Sequence, residues 1–134
     1  RAGADMLSDH GLFAVSAGVD HGKLEIVVKT ILEELKKTAT ELISDKELKR
    51  SKDHLTGRLL LGLETSDAMA NYYGGQEVLR QEIKTPDELL EIIIQVTAED
   101  IKNVAEDIFK DEKLNLALIW PFKEEEKLVN ILKF

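Results

Sequence analysis

The chain has 134 residues, of which 43% are hydrophobic and 33% charged, and its formal net charge is -8. That length suits one domain burying roughly two-thirds of its unfolded surface, and the composition excludes disorder and, with no apolar run near ~20 residues, a membrane span. The acidic balance argues against nucleic acid and anionic membranes as partners, and the absence of cysteine excludes disulfides, a thiol nucleophile and Cys-ligated zinc.

In chain order, residues 1 to 7 precede "SDHG" at Ser8 to Gly11, which has turn chemistry, so they are expected to pair as a hairpin with the segment beyond that turn. "LFAVSAGV" places Phe13, Val15, Ala17 and Val19 alternately among smaller residues, and predicts a strand over 12 to 19. Asp20 then offers a helix cap. Leu24, Val27, Val28, Ile31, Leu32 and Leu35 recur at helical spacing and predict one apolar stripe facing a core.

Three further helix starts carry capping chemistry, in which a side-chain oxygen accepts an orphan N–H and an acidic residue reaches back. They are Ser44 with Glu47, Thr85 with Glu88 behind Pro86 at the first helical position, and, more loosely, Thr97 with Asp100. Helical spacing comes after each one: Leu48, Leu55, Leu59 and Leu63; Leu89, Ile92 and Ile93; Ile101, Val104, Ala105 and Ile108. "KLNLALIW" alternates again as a third strand, stopped by Pro121, and "KEEEKLVNILKF" predicts a short closing helix with Leu128, Ile131 and Leu132 inward. The expected class is α+β, a single domain over 1–134 with an antiparallel sheet of about three strands covered on one face by several helices. Three strands are few for so many helices, so the sheet looks truncated, with outer edges that present unpaired N–H and C=O groups.

No self-contained chemistry emerges from the residue types. The three histidines, His10, His21 and His54, each follow an aspartate, which suggests a metal ligand or general base. His10 and His21, however, flank a strand whose ends stand more than ~25 Å apart, and Arg50 and Arg58 lie one turn either side of His54. Surface and turn positions explain all three. The five serines include no G-x-S-x-G elbow, and neither phosphate-loop pattern occurs. Gly74-Gly75 follows a helical segment instead of a strand, so it forms no strand–loop–helix cradle. Tyr72 and Tyr73 are expected to pack between helices, and Glu124 to Glu126 to form a solvated face near a helix N-terminus.

The ordered set of segments nevertheless resembles a known family. "DHGLFAVSAGVD" with "KLEIVVKTILEEL" resembles the insulinase and mitochondrial-processing-peptidase family of zinc peptidases, pitrilysin-like enzymes with an inverted H-x-x-E-H motif. "ISDKELKRSKDHLTGRLLLGLETSDAMANYYGGQEVL" resembles that family's long helix, its "LE" break and the short helix beyond it. "KTPDELLEIIIQVTAEDIKNVAEDIF" resembles the paired helices next in the family's order, and "LNLALIWPF" the closing strand. Trp120 departs from the pattern, standing where a glycine before proline is usual.

The resemblance implies the later part of a second, metal-free domain within a two-half chamber that closes around a peptide. It implies no catalytic, cofactor-binding or metal-ligating residue here, because the zinc motif belongs to the first domain. The family's glycine-rich segment and its substrate-contacting Arg and Tyr are expected upstream of Arg1. Zinc is expected in the parent's first domain, with none in this fragment, which should be inactive alone. The expected partners are a peptide substrate through the parent, and self-association or pairing with another peptidase half. The strand at 12 to 19 and the segment Ser66 to Leu79 are the expected surfaces. In this reading Ser66 begins a second helix, and Gly74-Gly75 eases it across a neighbouring element. Arg1 in place of Met suggests processing or a fragment. The lack of cysteine fits a reducing cytoplasm, which is the expected location, although a cysteine-free protein could also live outside the cell. Two other readings stay open: an inactive family member serving as a partner subunit, and an unrelated stand-alone helical interaction domain.

Overall fold

A computed structural model describes residues 1–7, 9–80, 82–119 and 130–134. The described elements, in order, are β1 (Ala2–Met6), β2 (Gly11–Val15), α1 (Leu24–Thr40), α2 (Asp45–Gly62), α3 (Ser66–Arg80), α4 (Pro86–Gln95) and α5 (Ala98–Ile108), with single 3-10 turns at His21–Lys23 and Asp111–Lys113. The class is α+β, as the sequence predicts, and α2 and α4 begin where Ser44 and Thr85 place them. The chain divides into two compact units: Arg1–Met6, Gly11–Leu42 and Glu99–Phe134 in the first, Leu7–His10 and Ile43–Ala98 in the second.

In the first unit β1 and β2 form an antiparallel pair in the register Ala2 to Val15, Ala4 to Phe13 and Met6 to Gly11. The pairing runs one step further, because Arg1 and Ser16 exchange backbone bonds of 2.9 and 2.8 Å. The connecting turn is closed by the Leu7 N–H donating to the His10 carbonyl at 2.8 Å. The strand predicted over 12 to 19 therefore ends early, at Val15. The third strand is a correction. Residues 114–119 adopt no strand pairing, so among the described residues the sheet has two strands, not about three, and Trp120 at the end of that predicted strand lies outside the description. Alternation shows which side chains could share a face, but a strand also needs a neighbour to receive its N–H and C=O groups.

The core of this unit lies on α1. Leu24, Val28 and Leu32 are buried in one line, and Leu114, Ile131 and Phe134 pack against them. Burying each such Leu or Val side chain is worth about 1.5–3 kcal/mol. Ala39 and Ala105 are buried as well. Phe109 joins distant parts of the chain, with its ring edge-on to Phe13 at 5.3 Å and tilted against Phe134 at 6.0 Å. The Phe134 N–H donates to Asp111 Oδ1 at 2.7 Å. The closing helix predicted from residue 123 onward lies mostly outside the described residues. Of its inward residues Ile131 packs as expected and Leu132 is half-buried, while Leu128 lies outside the description.

The second unit holds α2, α3 and α4. Ser44 Oγ accepts from the Glu47 N–H at 3.2 Å and starts α2. Thr85 and Glu88 form the full reciprocal box at the start of α4, with Pro86 at the first helical turn. The Lys52 ammonium of α2 donates to the Ile94 carbonyl of α4 at 2.6 Å. It thereby satisfies one of the orphan carbonyls at a helix end, where the macrodipole favours a cation. Among the described residues this unit buries no side chain fully.

Candidate functional site

Among the described residues no group of three His, Asp or Glu side chains is placed to hold a metal ion. The His10 Nδ1 lies 2.6 Å from Asp9 Oδ1, with both side chains exposed at the hairpin turn. His54 is exposed on α2, and the backbone of His21 opens the 3-10 turn that Asp20 caps by accepting from the Gly22 N–H at 3.4 Å. Asp20 thus caps a short turn, and α1 starts three residues later than that cap would place it.

The perturbed titratable groups are all exposed, and all shift toward their charged forms. The Thr85 backbone N–H and hydroxyl hold the Glu88 carboxyl below its ordinary value. Lys84 does the same for Glu82, and Lys110, with Lys113 beyond it, for Asp107. The Glu34 carboxylate raises Lys37. A general acid or base at neutral pH needs the opposite displacement, toward the operating pH. These shifts mark caps and surface ion pairs. A hollow of about 220 Å³ over Leu32 and Phe134 carries Lys29, Lys36 and Lys133 at its edge. It is smaller than the ~300 Å³ at which ligand pockets begin.

Of the two predicted surfaces, the hairpin is open. Every residue of β1 is exposed, and so is all of β2 except the half-buried Val15. Met6, Leu12 and Phe13 are large apolar side chains left at the surface, Met6 at 75%.

The segment Ser66 to Leu79 lies within α3. Its cap is Thr65, whose Oγ1 accepts from the Ala68 N–H at 3.1 Å, so Ser66 is already the first helical residue. Gly74 and Gly75 continue the helix, and among the described residues nothing lies within 4 Å of where a Cβ would stand on either. The expected close approach to a neighbouring element is therefore corrected, since no neighbour crowds that backbone. Nor do the glycines form a phosphate cradle.

The organising residue of this region is Gln76, which the sequence did not single out. Its amide accepts from the Lys84 N–H at 3.0 Å and donates to the Lys84 carbonyl at 3.2 Å, copying a backbone partner. The Tyr72 hydroxyl donates to the same carbonyl at 3.0 Å, while the ring of Tyr72 meets Tyr73 edge-on at 5.2 Å. Only the polar spacing 72–76, one helical turn, hinted at this clamp.

Among the described residues this geometry groups no metal-holding side chains. Residues 2–55 match the model of the "Peptidase M16 inactive domain". An uncharacterized zinc protease of Streptomyces coelicolor is 33% identical over 119 residues, 89% of this chain and 26% of the relative. The mitochondrial-processing peptidase subunit beta of Saccharomyces cerevisiae is 33% identical over 91 residues, 68% of this chain and 20% of the relative. The mitochondrial-processing peptidase subunit alpha-2 of Dictyostelium discoideum is 33% identical over 97 residues, covering 72% and 21%. The chain thus spans about a quarter or less of the length of these relatives. On these likenesses the chain belongs to the M16 family of zinc peptidases, in the part described as the inactive domain.

Proposed function

We propose that these 134 residues are a non-catalytic portion of a zinc-dependent peptidase, forming wall of the peptide chamber and surface for a second half. The carrying observation is the match of residues 2–55 to the inactive domain. The open hairpin supports it. The described residues group into no zinc site, and on this reading the metal would sit in another part of the polypeptide. This portion would shape the space in which the peptide is held.

A second reading, an inactive partner subunit, is favoured by one specific observation: similarity to relatives named as alpha and as beta subunits of one peptidase. Extending the reading frame upstream of Arg1 separates the two. An in-frame H-x-x-E-H, with chelator-sensitive peptide cleavage by the longer polypeptide and none by the 134-residue chain, supports the first reading. Family-like sequence lacking one of those residues, and activity only after adding a second subunit, supports the second. Cleavage by the 134-residue chain itself would overturn both.

A further inference from the structure

Between the end of α3 at Arg80 and the start of α4 at Pro86 lies one peptide unit, Lys84–Thr85, that is gripped at both ends. Its carbonyl, on Lys84, accepts from the Tyr72 hydroxyl at 3.0 Å and from the Gln76 amide at 3.2 Å, both on α3. Its N–H, on Thr85, donates to Glu88 Oε2 of α4 at 2.7 Å. The same carboxylate oxygen accepts from the Thr85 hydroxyl at 2.9 Å, and that hydroxyl accepts from the Glu88 N–H at 3.3 Å. On the other side of Lys84, its own N–H donates to the Gln76 amide oxygen at 3.0 Å.

Two physical facts tie these ends together. A peptide unit is planar and trans, so its C=O and N–H point in opposite directions across one rigid plane. Fixing the direction of the carbonyl therefore fixes the direction of the N–H. A bond accepted by the carbonyl also polarises the amide, and so strengthens the bond that its N–H donates. Here that N–H meets an ionised carboxylate, an acceptor of the stronger kind. Pro86 already restricts the backbone of Thr85, which sits extended at φ -66° and ψ 159°. The plane before Thr85 also turns with Lys84, which no proline restrains and which α3 holds.

We propose that the Lys84–Thr85 peptide unit is a latch through which Tyr72 and Gln76 set the N-terminal cap of α4, so that the clamp and the capping box close and open together. Tyr72 and Gln76 are positioning residues, acting on the cap through the peptide plane. The inference rests on bonds inside the chain, and it stands or falls separately from the peptidase reading.

The test is amide NMR with hydrogen exchange on the 134-residue chain. Tyr72→Phe removes one hydroxyl and leaves Gln76, Thr85 and Glu88 in place. It is expected to move the Thr85 amide proton upfield, as the bond to Glu88 weakens, and to speed exchange there by about threefold or more. Gln76→Leu is expected to do the same to a larger extent. In a Glu88→Ala background, where the N–H has lost its acceptor, Tyr72→Phe is expected to leave the Thr85 proton where that background puts it. A role confined to packing α3 would change Lys84 and not Thr85. Should Gln76→Leu unfold this corner, Tyr72→Phe with and without Glu88→Ala decides alone. The proposal is overturned if Tyr72→Phe leaves the Thr85 amide unchanged, or if its effect is the same with and without the Glu88 carboxylate.

Discussion

All five buried apolar side chains, Leu24, Val28, Leu32, Ala39 and Ala105, fall in the first unit, and among the described residues the second has none. The second unit is held instead by local chemistry: the Ser44 and Thr85 caps, the Gln76 clamp on Lys84, and the bond from Lys52 to the Ile94 carbonyl. The difference lies in what each sequence can bury. α1 offers an unbroken apolar stripe, whereas α2 sets Leu55, Leu60 and Leu61 at the surface. A unit with a core loses stability by cavity formation. One without a core loses it through a single orphaned polar group.

The hardest test of that contrast is a matched pair of truncations. Leu32→Ala should cost about 2–4 kcal/mol in urea denaturation, while Leu59→Ala, half-buried in α2, should cost less than half as much. Equal losses would erase the distinction. Next in size, Gln76→Leu strands the Lys84 N–H and carbonyl and should cost about 1–3 kcal/mol, with amide exchange at Lys84 accelerating while that at Leu32 is unchanged. Thr85→Ala removes one cap and should cost about 1 kcal/mol, visible as earlier fraying of α4. Gly74→Ala should act in the opposite sense. With open space at the missing Cβ, it should raise the melting temperature by an amount worth up to about 1 kcal/mol, and a loss would reveal a neighbour there.

The smallest effect concerns pH. The Glu88 carboxyl is held below its ordinary 4.5 in the folded chain by its bonds from Thr85. Its stabilising contribution is therefore present above that value and is lost as pH falls through the folded one. Glu88→Gln should flatten that limb of a stability–pH profile, and an unchanged profile would discount the box.

Much of this was legible in the sequence because it is local. Capping needs only a side chain and an N–H three residues on, so Ser44 and Thr85 mark α2 and α4 correctly. The α1 stripe comes directly from its spacing. What was not legible depends on encounters between distant segments. "KLNLALIW" has strand alternation, but residues 114–119 find no strand partner among the described residues. Gln76 acts only because the chain returns to bring Lys84 beside it. Asp20 and Thr65 show the finer limit: a capping residue signals that a turn begins, but not whether a 3-10 turn or an α-helix comes after it. The candidate surfaces came from family resemblance, and the geometry of the hairpin then showed why one of them is open.

Phe109, edge-on to Phe13 and tilted on Phe134, belongs to a unit whose chain is interrupted by residues 43–98. During synthesis the α1 stripe emerges long before the residues that cover it, and residues 43–98 of the second unit are made in between. Contacts within that second unit close shorter loops, so it can settle first, while the first must wait for its last residues and the entropy of a long closure. Until Leu114, Ile131 and Phe134 arrive, Leu24, Val28 and Leu32 are an apolar line without those covering side chains, open to wrong contacts.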